Sequence, residues 1–133
     1  MLACDRDQVL LMAPSLRDWL PEDHFVWLVI DAVAGMDLSA FYGAYRQDGH
    51  GRAAFDPAMM VALLLYAYAR GQRSSRGIER ECIEDIAYRV IAANQRPDHS
   101  TVARFASATR TRWRVCSVRC WDCVCGRVWL RLG

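Results

Sequence analysis

The chain has 133 residues, an apolar fraction of 53% and a net charge of +2, enough for one compact domain with its own core. Its start, MLACDRDQVL, puts charges where the apolar stretch of a signal peptide would begin, which argues against secretion and for a cytoplasmic protein with free thiols. All 17 basic residues are Arg, a mark of G+C-rich coding more than of chemistry, and they are unevenly spread: residues 1–109 hold more acids than arginines, whereas Arg110, Arg112, Arg114, Arg119, Arg127 and Arg131 share their segment with Asp122 alone.

In chain order, residues 1–18 form a mixed lead-in. Pro14 and Ser15 mark a loop, and Leu16, Trp19 and Leu20 can cover the edge of a core. Pro21–Gly35 is expected to be the first helix, because Pro21, Glu22 and Asp23 suit a first turn and Phe25, Val26, Leu28, Val29, Ile30 and Val33 supply an apolar face. A shorter helix is expected over Asp37–Gln47, capped by Asp37, with Leu38, Phe41, Tyr42 and Tyr45 at helical spacing. Asp48-Gly49-His50-Gly51 then reads as a turn.

Asp56–Gly71 is the stretch the others must pack around. Asp56 can cap it, Pro57 fits the first helical position and Gly71 suits its end. Ala58 to Ala69 are all apolar, so the helix needs protein on several sides. It is too short for a membrane span, which takes about 20 apolar residues.

After Gly71, Ser74 or Ser75 can cap a helix running to about Cys82. Arg73, Arg76 and Arg80 follow i, i+3, i+7 spacing and share one face of it. Glu84–Ala93 is the next expected helix, with Ile86, Val90 and Ala93 as its apolar stripe, and Asn94-Gln95-Arg96-Pro97 breaks it. Asp98 caps a last helix, His99–Thr109. There Val102, Phe105, Ala106 and Thr109 share one side, and Ser100, Arg104 and Ser107 the other. One packed side and one side offering Arg and hydroxyls is what a DNA-recognition helix needs. Glu84–Ala93 followed by Asp98–Thr109 therefore reads as helix-turn-helix-like, although two short helices and a turn also occur in many all-α proteins. The expected fold class is a small all-α domain of about six helices.

Other chemistries find little support. His24, His50 and His99 are isolated and lack metal-ligand spacing. Cys116, Cys120, Cys123 and Cys125 form one compact cluster, whereas structural zinc sites use paired knuckles separated by a longer loop. The acids of Glu79–Asp85 lie on a helix with neighbouring Arg and suit an ion-paired surface. No phosphate-cradling glycine loop, nucleophile elbow or triad is present, so no catalytic residue, cofactor-binding residue or metal ligand is assigned.

The blocks DPAMMVALLLYAYARGQRSSRGIER and PDHSTVARF, within a match spanning roughly residues 19–106, resemble the N-terminal domain of InsH-like insertion-sequence transposases. The resemblance implies a helical domain over residues 19–109 that helps bind the terminal inverted repeats of the element, ahead of an RNase H-like catalytic domain with three acidic metal ligands. It makes Arg73, Arg76, Arg80, His99, Ser100, Arg104 and Ser107 the DNA-binding candidates. Divalent metal is expected only in that catalytic domain, so this chain, as it stands, is expected not to be an enzyme. Partners implied are DNA and, for assembly, an intact transposase or a second copy; no membrane is implied. The alternative is a dimerisation module without DNA contacts, and a metal- or redox-responsive tail is a remoter one.

The family pattern continues past residue 109 with a helix and then a catalytic Asp. This chain reads TRWRVCSVRCWDCVCGRVWLRLG instead. Trp, Cys, Arg and Val are what G+C-rich coding yields out of frame. One permissible codon choice for the tail, read two nucleotides later, restores helical apolar periodicity. Residues 110–133 are therefore expected to be out-of-frame, poorly packed sequence after a truncation.

Overall fold

A computed structural model describes residues 15–43 and 55–113, with side chains through 109. The turn at Asp48–Gly51 with His50, the end of the expected second helix including Tyr45, and the four tail cysteines lie outside the described residues. Among those described there are six α-helices and no strand: α1 Phe25–Ala34, α2 Ser39–Tyr42, α3 Pro57–Ala69, α4 Ser75–Glu84, α5 Ile86–Ile91 and α6 His99–Trp113, preceded by a 3-10 turn at Leu16–Trp19. The all-α expectation holds.

α3 is the centre. Asp56 accepts from Met59 N at 3.3 Å and Pro57 opens the first turn. At the other end Gly71 (φ +81°) turns left-handed, Gln72 N donates to Ala67 O at 2.8 Å and Gly71 N to Tyr68 O at 3.0 Å, so the two hydrogen bonds of a Schellman motif close the last turn. Met60, Val61, Ala62, Leu63, Leu64, Tyr66 and Ala67 are all buried, enclosed by α1, α5 and α6. Tyr66 is the largest fully buried side chain. Its ring meets Phe25 at 5.9 Å and Tyr88 edge-on at 5.1 Å, pairs that add about 0.5–1.5 kcal/mol each beyond area burial.

α1 starts later than its sequence suggests. Pro21–Asp23 form a turn instead: His24 N donates to Pro21 O at 3.1 Å, and Trp27 Nε1 reaches the same carbonyl at 2.7 Å. The cap is His24, whose Nδ1 accepts from Val26 N at 3.2 Å. Acids and a proline therefore signalled the approach to a helix and not its first turn. Val26, Val29 and Val33 bury its inner face. α2 is held by Asp37, whose carboxylate accepts from Ser39 N at 3.0 Å. The Ser39 amide and hydroxyl hold that carboxyl below its usual range. Phe41 of α2 stacks on Phe105 of α6 at 6.0 Å, and the exposed Tyr42 hydroxyl donates to Asp56 at 2.7 Å.

α4 runs two residues past its expected end and meets α5 at Asp85, the last residue of one helix's frame and the cap of the next. Asp85 N donates to Glu81 O at 2.8 Å, while its carboxylate accepts from Ala87 N at 2.6 Å. α5 is shorter than expected and buries a different face. Ala87, Tyr88, Val90 and Ile91 pack inward, whereas Ile86 and Ala93 are exposed. Asp85 is extended (φ −101°, ψ 127°), which sets the start of α5 off from α4, and Ala93 lies past its end in the left-handed region. α6 lies mainly on α4, with a smaller contact to α3. This alters the anticipated helix–turn–helix pairing: the main support of the last helix is α4 and not α5. α6 also continues to Trp113, four residues beyond its expected end.

Candidate nucleic-acid interface

The candidate residues sit on two supports, α4 with the loop before it and α6. Gln72 shapes the loop: its side-chain oxygen accepts from Ser74 N at 3.2 Å, and Ser74 Oγ accepts from Gly77 N at 3.3 Å to cap α4. A Cβ on Gly77 would lie 2.5 Å from the Gln72 amide, so glycine lets this side chain lie against the helix. Because Ser74 is the cap, Arg73 precedes α4. It is exposed from the loop and does not share a helical face with Arg76 and Arg80, as the i, i+3, i+7 spacing had suggested.

Arg76 and Arg80 are exposed on α4, away from buried Gly77, Ile78 and Cys82. Arg80 is partly compensated by Glu84, 3.9 Å away and one turn on, a solvated pair of the kind that contributes little to stability. Among the described residues no carboxylate pairs with Arg73, Arg76 or Arg104.

α6 divides as its sequence implies. Val102 and Thr109 are buried and Phe105 and Ala106 are partly so, while Ser100, Arg104 and Ser107 are exposed. Pro97, fully buried just before the helix, anchors its start. Thr109 needs no outside partner, because its hydroxyl donates to Phe105 O at 2.6 Å. Asp98 organises the first turn, accepting from the Ser100 and Thr101 hydroxyls and from Thr101 N at 3.4 Å. Those hydrogen bonds, Ser100 first, hold its carboxyl far below the ordinary carboxylate range. Ser100 therefore commits its proton to Asp98 and keeps only lone pairs for a ligand.

His99 is exposed, but it is tied down: Nδ1 lies 2.9 Å from Glu79 Oε2 on α4. Glu79 is the residue of the candidate face that sequence reasoning did not connect with His99. The two positions are 20 residues apart, and only the packing of α6 on α4 joins them. The structure thus places the two groups of candidates on packed neighbours, with Arg73 displaced to the adjoining loop and Arg80 shared with Glu84.

Behind this face, Arg70, Gly71, Gln72, Glu81, Asp85 and Tyr88 line an open cleft of about 190 Å³. Burial, then Glu81, pushes the Tyr88 phenol up to about 12. Burial, then Glu81 and Glu79, pushes the Cys82 thiol up to about 11, so this buried cysteine is an inert core residue at neutral pH. Glu81 and Asp85 make the cleft unsuited to phosphate. Among the described residues no group of three or more His, Cys, Asp and Glu is placed to hold a metal, and no helix is long and apolar enough to cross a membrane.

Residues 14–108 match the model of a family described as a transposase domain (DUF772). No curated protein and no solved structure matches the chain.

Proposed function

The chain belongs to the transposase-domain family across residues 14–108, and from that footing we propose that its α4–α6 unit binds the terminal inverted repeats of an insertion sequence during DNA transposition. The observation that carries this is the division of α6: Val102, Phe105 and Thr109 seat it on the domain, while Ser100, Arg104 and Ser107 are exposed, on a helix packed against the α4 that carries Arg76 and Arg80. Arg104, near the middle of the exposed side, is the residue assigned to base edges, since a guanidinium can pair bidentately with guanine. Arg73, Arg76 and Arg80 are assigned to phosphates, which fix register without reading sequence. The acids nearby need not defeat this arrangement, because Glu79 and Glu84 are held by His99 and Arg80.

No residue of this chain is assigned to strand cleavage, and no cofactor is proposed for it. The out-of-frame origin of the arginine-, tryptophan- and cysteine-rich tail stays a proposal carried by its composition, with the boundary moved beyond Trp113 by the length of α6. Resequencing the locus tests it: an uninterrupted reading frame without a recoverable transposase frame one shift away contradicts it.

The second reading, an assembly module, draws on Ile83 and Ile86, 50% and 41% exposed at the α4–α5 corner. Electrophoretic mobility shift with duplex terminal repeat separates the two. Arg104→Ala, with its helical circular dichroism retained, is expected to weaken binding by about 1–3 kcal/mol, roughly five- to 150-fold. Unchanged affinity removes the recognition role from α6. A defined dimer with no DNA affinity favours assembly.

A further inference from the structure

The polar contact that joins α6 to α4 lies inside the proposed interface. His99 Nδ1 is 2.9 Å from Glu79 Oε2, with side-chain exposures of 46% and 36%. We propose that Glu79 is a positioning residue that fixes His99 as its Nδ1–H tautomer and thereby presents Nε2 to DNA as a hydrogen-bond acceptor. This rests on the reading of α6 as the DNA-facing helix and assigns an atom and a polarity within it.

The chemistry follows from the donor inventory. An ionised carboxylate only accepts, so the ring nitrogen beside Glu79 must carry the proton. A neutral imidazole has one N–H, so Nε2 then holds a lone pair. That nitrogen lies on the opposite side of the ring from α4, in a side chain that is nearly half exposed. An acceptor there matches the exocyclic amino groups of adenine and cytosine in the major groove, and not the acceptor-only edge of guanine. Without Glu79 the imidazole is free to adopt the Nε2–H tautomer, which water favours and which presents a donor instead. The charged residues flanking this contact in sequence are Arg76, Glu79 and Arg80 on α4 and Asp98 at the start of α6. Of these, Asp98 is engaged with Ser100 and Thr101 and Arg80 with Glu84, which leaves Glu79 as the ring's partner.

The contact also sets geometry. Buried Pro97 and Val102 anchor the start of α6 in the core; the Glu79 bridge adds a polar fix to α4. It thereby couples the placement of Ser100 and Arg104 to that of Arg76.

Long-range 1H–15N correlation spectra of the ring, recorded at about pH 8.5, above the range in which an ordinary imidazole is protonated, test the proposal. The full chain is expected to show His99 protonated on Nδ1, and Glu79→Ala is expected to shift it to Nε2–H, with an unchanged thermal melt showing that the fold survives. In terminal-repeat binding, Glu79→Ala and His99→Ala are each expected to lose several-fold in affinity, and the double variant no more than the worse single one. An Nε2–H tautomer in the unmodified chain, or one unmoved by Glu79→Ala, overturns the pinning. Normal binding by the unmodified chain with full affinity in Glu79→Ala overturns only this inference. A pinned ring in a chain with no affinity for the repeat overturns the DNA-binding reading beneath it.

Discussion

Asp98 shows how much one exposed carboxylate can organise. It takes the Ser100 and Thr101 hydroxyls and the Thr101 amide, and so fixes the turn from which the proposed DNA-facing side begins. Its folded-state carboxyl lies far below the value of about 3.9 expected unfolded. A depressed folded value stabilises the native state above the unfolded value, and that stability is lost as pH falls toward the folded one. Asn also caps helices well, so Asp98→Asn isolates the charge. Thermal melts are expected to show the variant less stable at pH 7, with the gap closing as pH drops below about 4; a gap independent of pH contradicts the assignment. His99 illustrates the opposite lesson about legibility. As a lone histidine in a first turn it reads as solvated, and its real partner becomes visible only once α4 and α6 are packed together.

At the scale of elements, the strongest local signals were the most faithful. Asp56, Pro57 and Gly71 delimit α3 closely because cap, proline and left-handed glycine are each backbone requirements. The two-sided character of α6 was equally legible, since at about 100° per residue Val102 and Phe105 fall on the other side of the axis from Ser100 and Arg104. Weaker signals misled. Pro21–Asp23 looked like a first turn but form the approach to one, and of the stripe Ile86, Val90 and Ala93 only Val90 is buried: Ile86 follows the corner at Asp85 and Ala93 lies past the end of α5. The termination of α5 was legible only in part: Asn94 begins the break read from the sequence, whereas Ala93, a residue with no left-handed preference, was expected inside the helix. Ala93 and Asn94 adopt φ of +49° and +61°, with Asn94 N donating to Arg89 O at 2.8 Å and the Arg89 side chain returning to Asn94 Oδ1 at 3.0 Å. An L-residue other than Asn or Asp pays roughly 1–2 kcal/mol to turn left-handed, while glycine loses about 0.5–1 kcal/mol of chain entropy. Ala93→Gly is thus expected to stabilise the domain by about 0.5–1 kcal/mol, read as a rise of a few degrees in Tm. A fall in Tm would mean that Ala93 has contacts worth more than its strain.

For the whole molecule, one helix enclosed by its neighbours explains both the fold and the place of the candidate face. α3 is buried on most of its length, with Tyr68 and Ala69 exposed near its end; it fixes α1, α5 and α6 around it. α2 adds a lateral brace through Phe41 on Phe105, and Arg89 lies 5.0 Å over the Trp19 ring to hold the leading turn against α5. The face assigned to DNA is therefore carried on elements whose inner sides are core. That division suits a rigid docking surface, in which Arg73, Arg76 and Arg104 remain without acidic partners among the described residues. Composition could not foresee this, because residues 1–109 hold more acids than arginines overall; the positive character is local and arises from which charges are engaged. Sequence-specific recognition by such a face has a definite signature. Base contacts should separate the true repeat from other DNA at every salt concentration, while phosphate contacts should make both affinities fall as salt rises. Fluorescence anisotropy of the full chain with labelled terminal inverted repeat, against a scrambled duplex of equal composition, measures both across a salt series. The account predicts tighter binding to the repeat throughout and a negative slope of log K against log salt that Arg76→Ala makes shallower by about one. Equal affinity for the two duplexes, or no measurable binding at low salt, would contradict it.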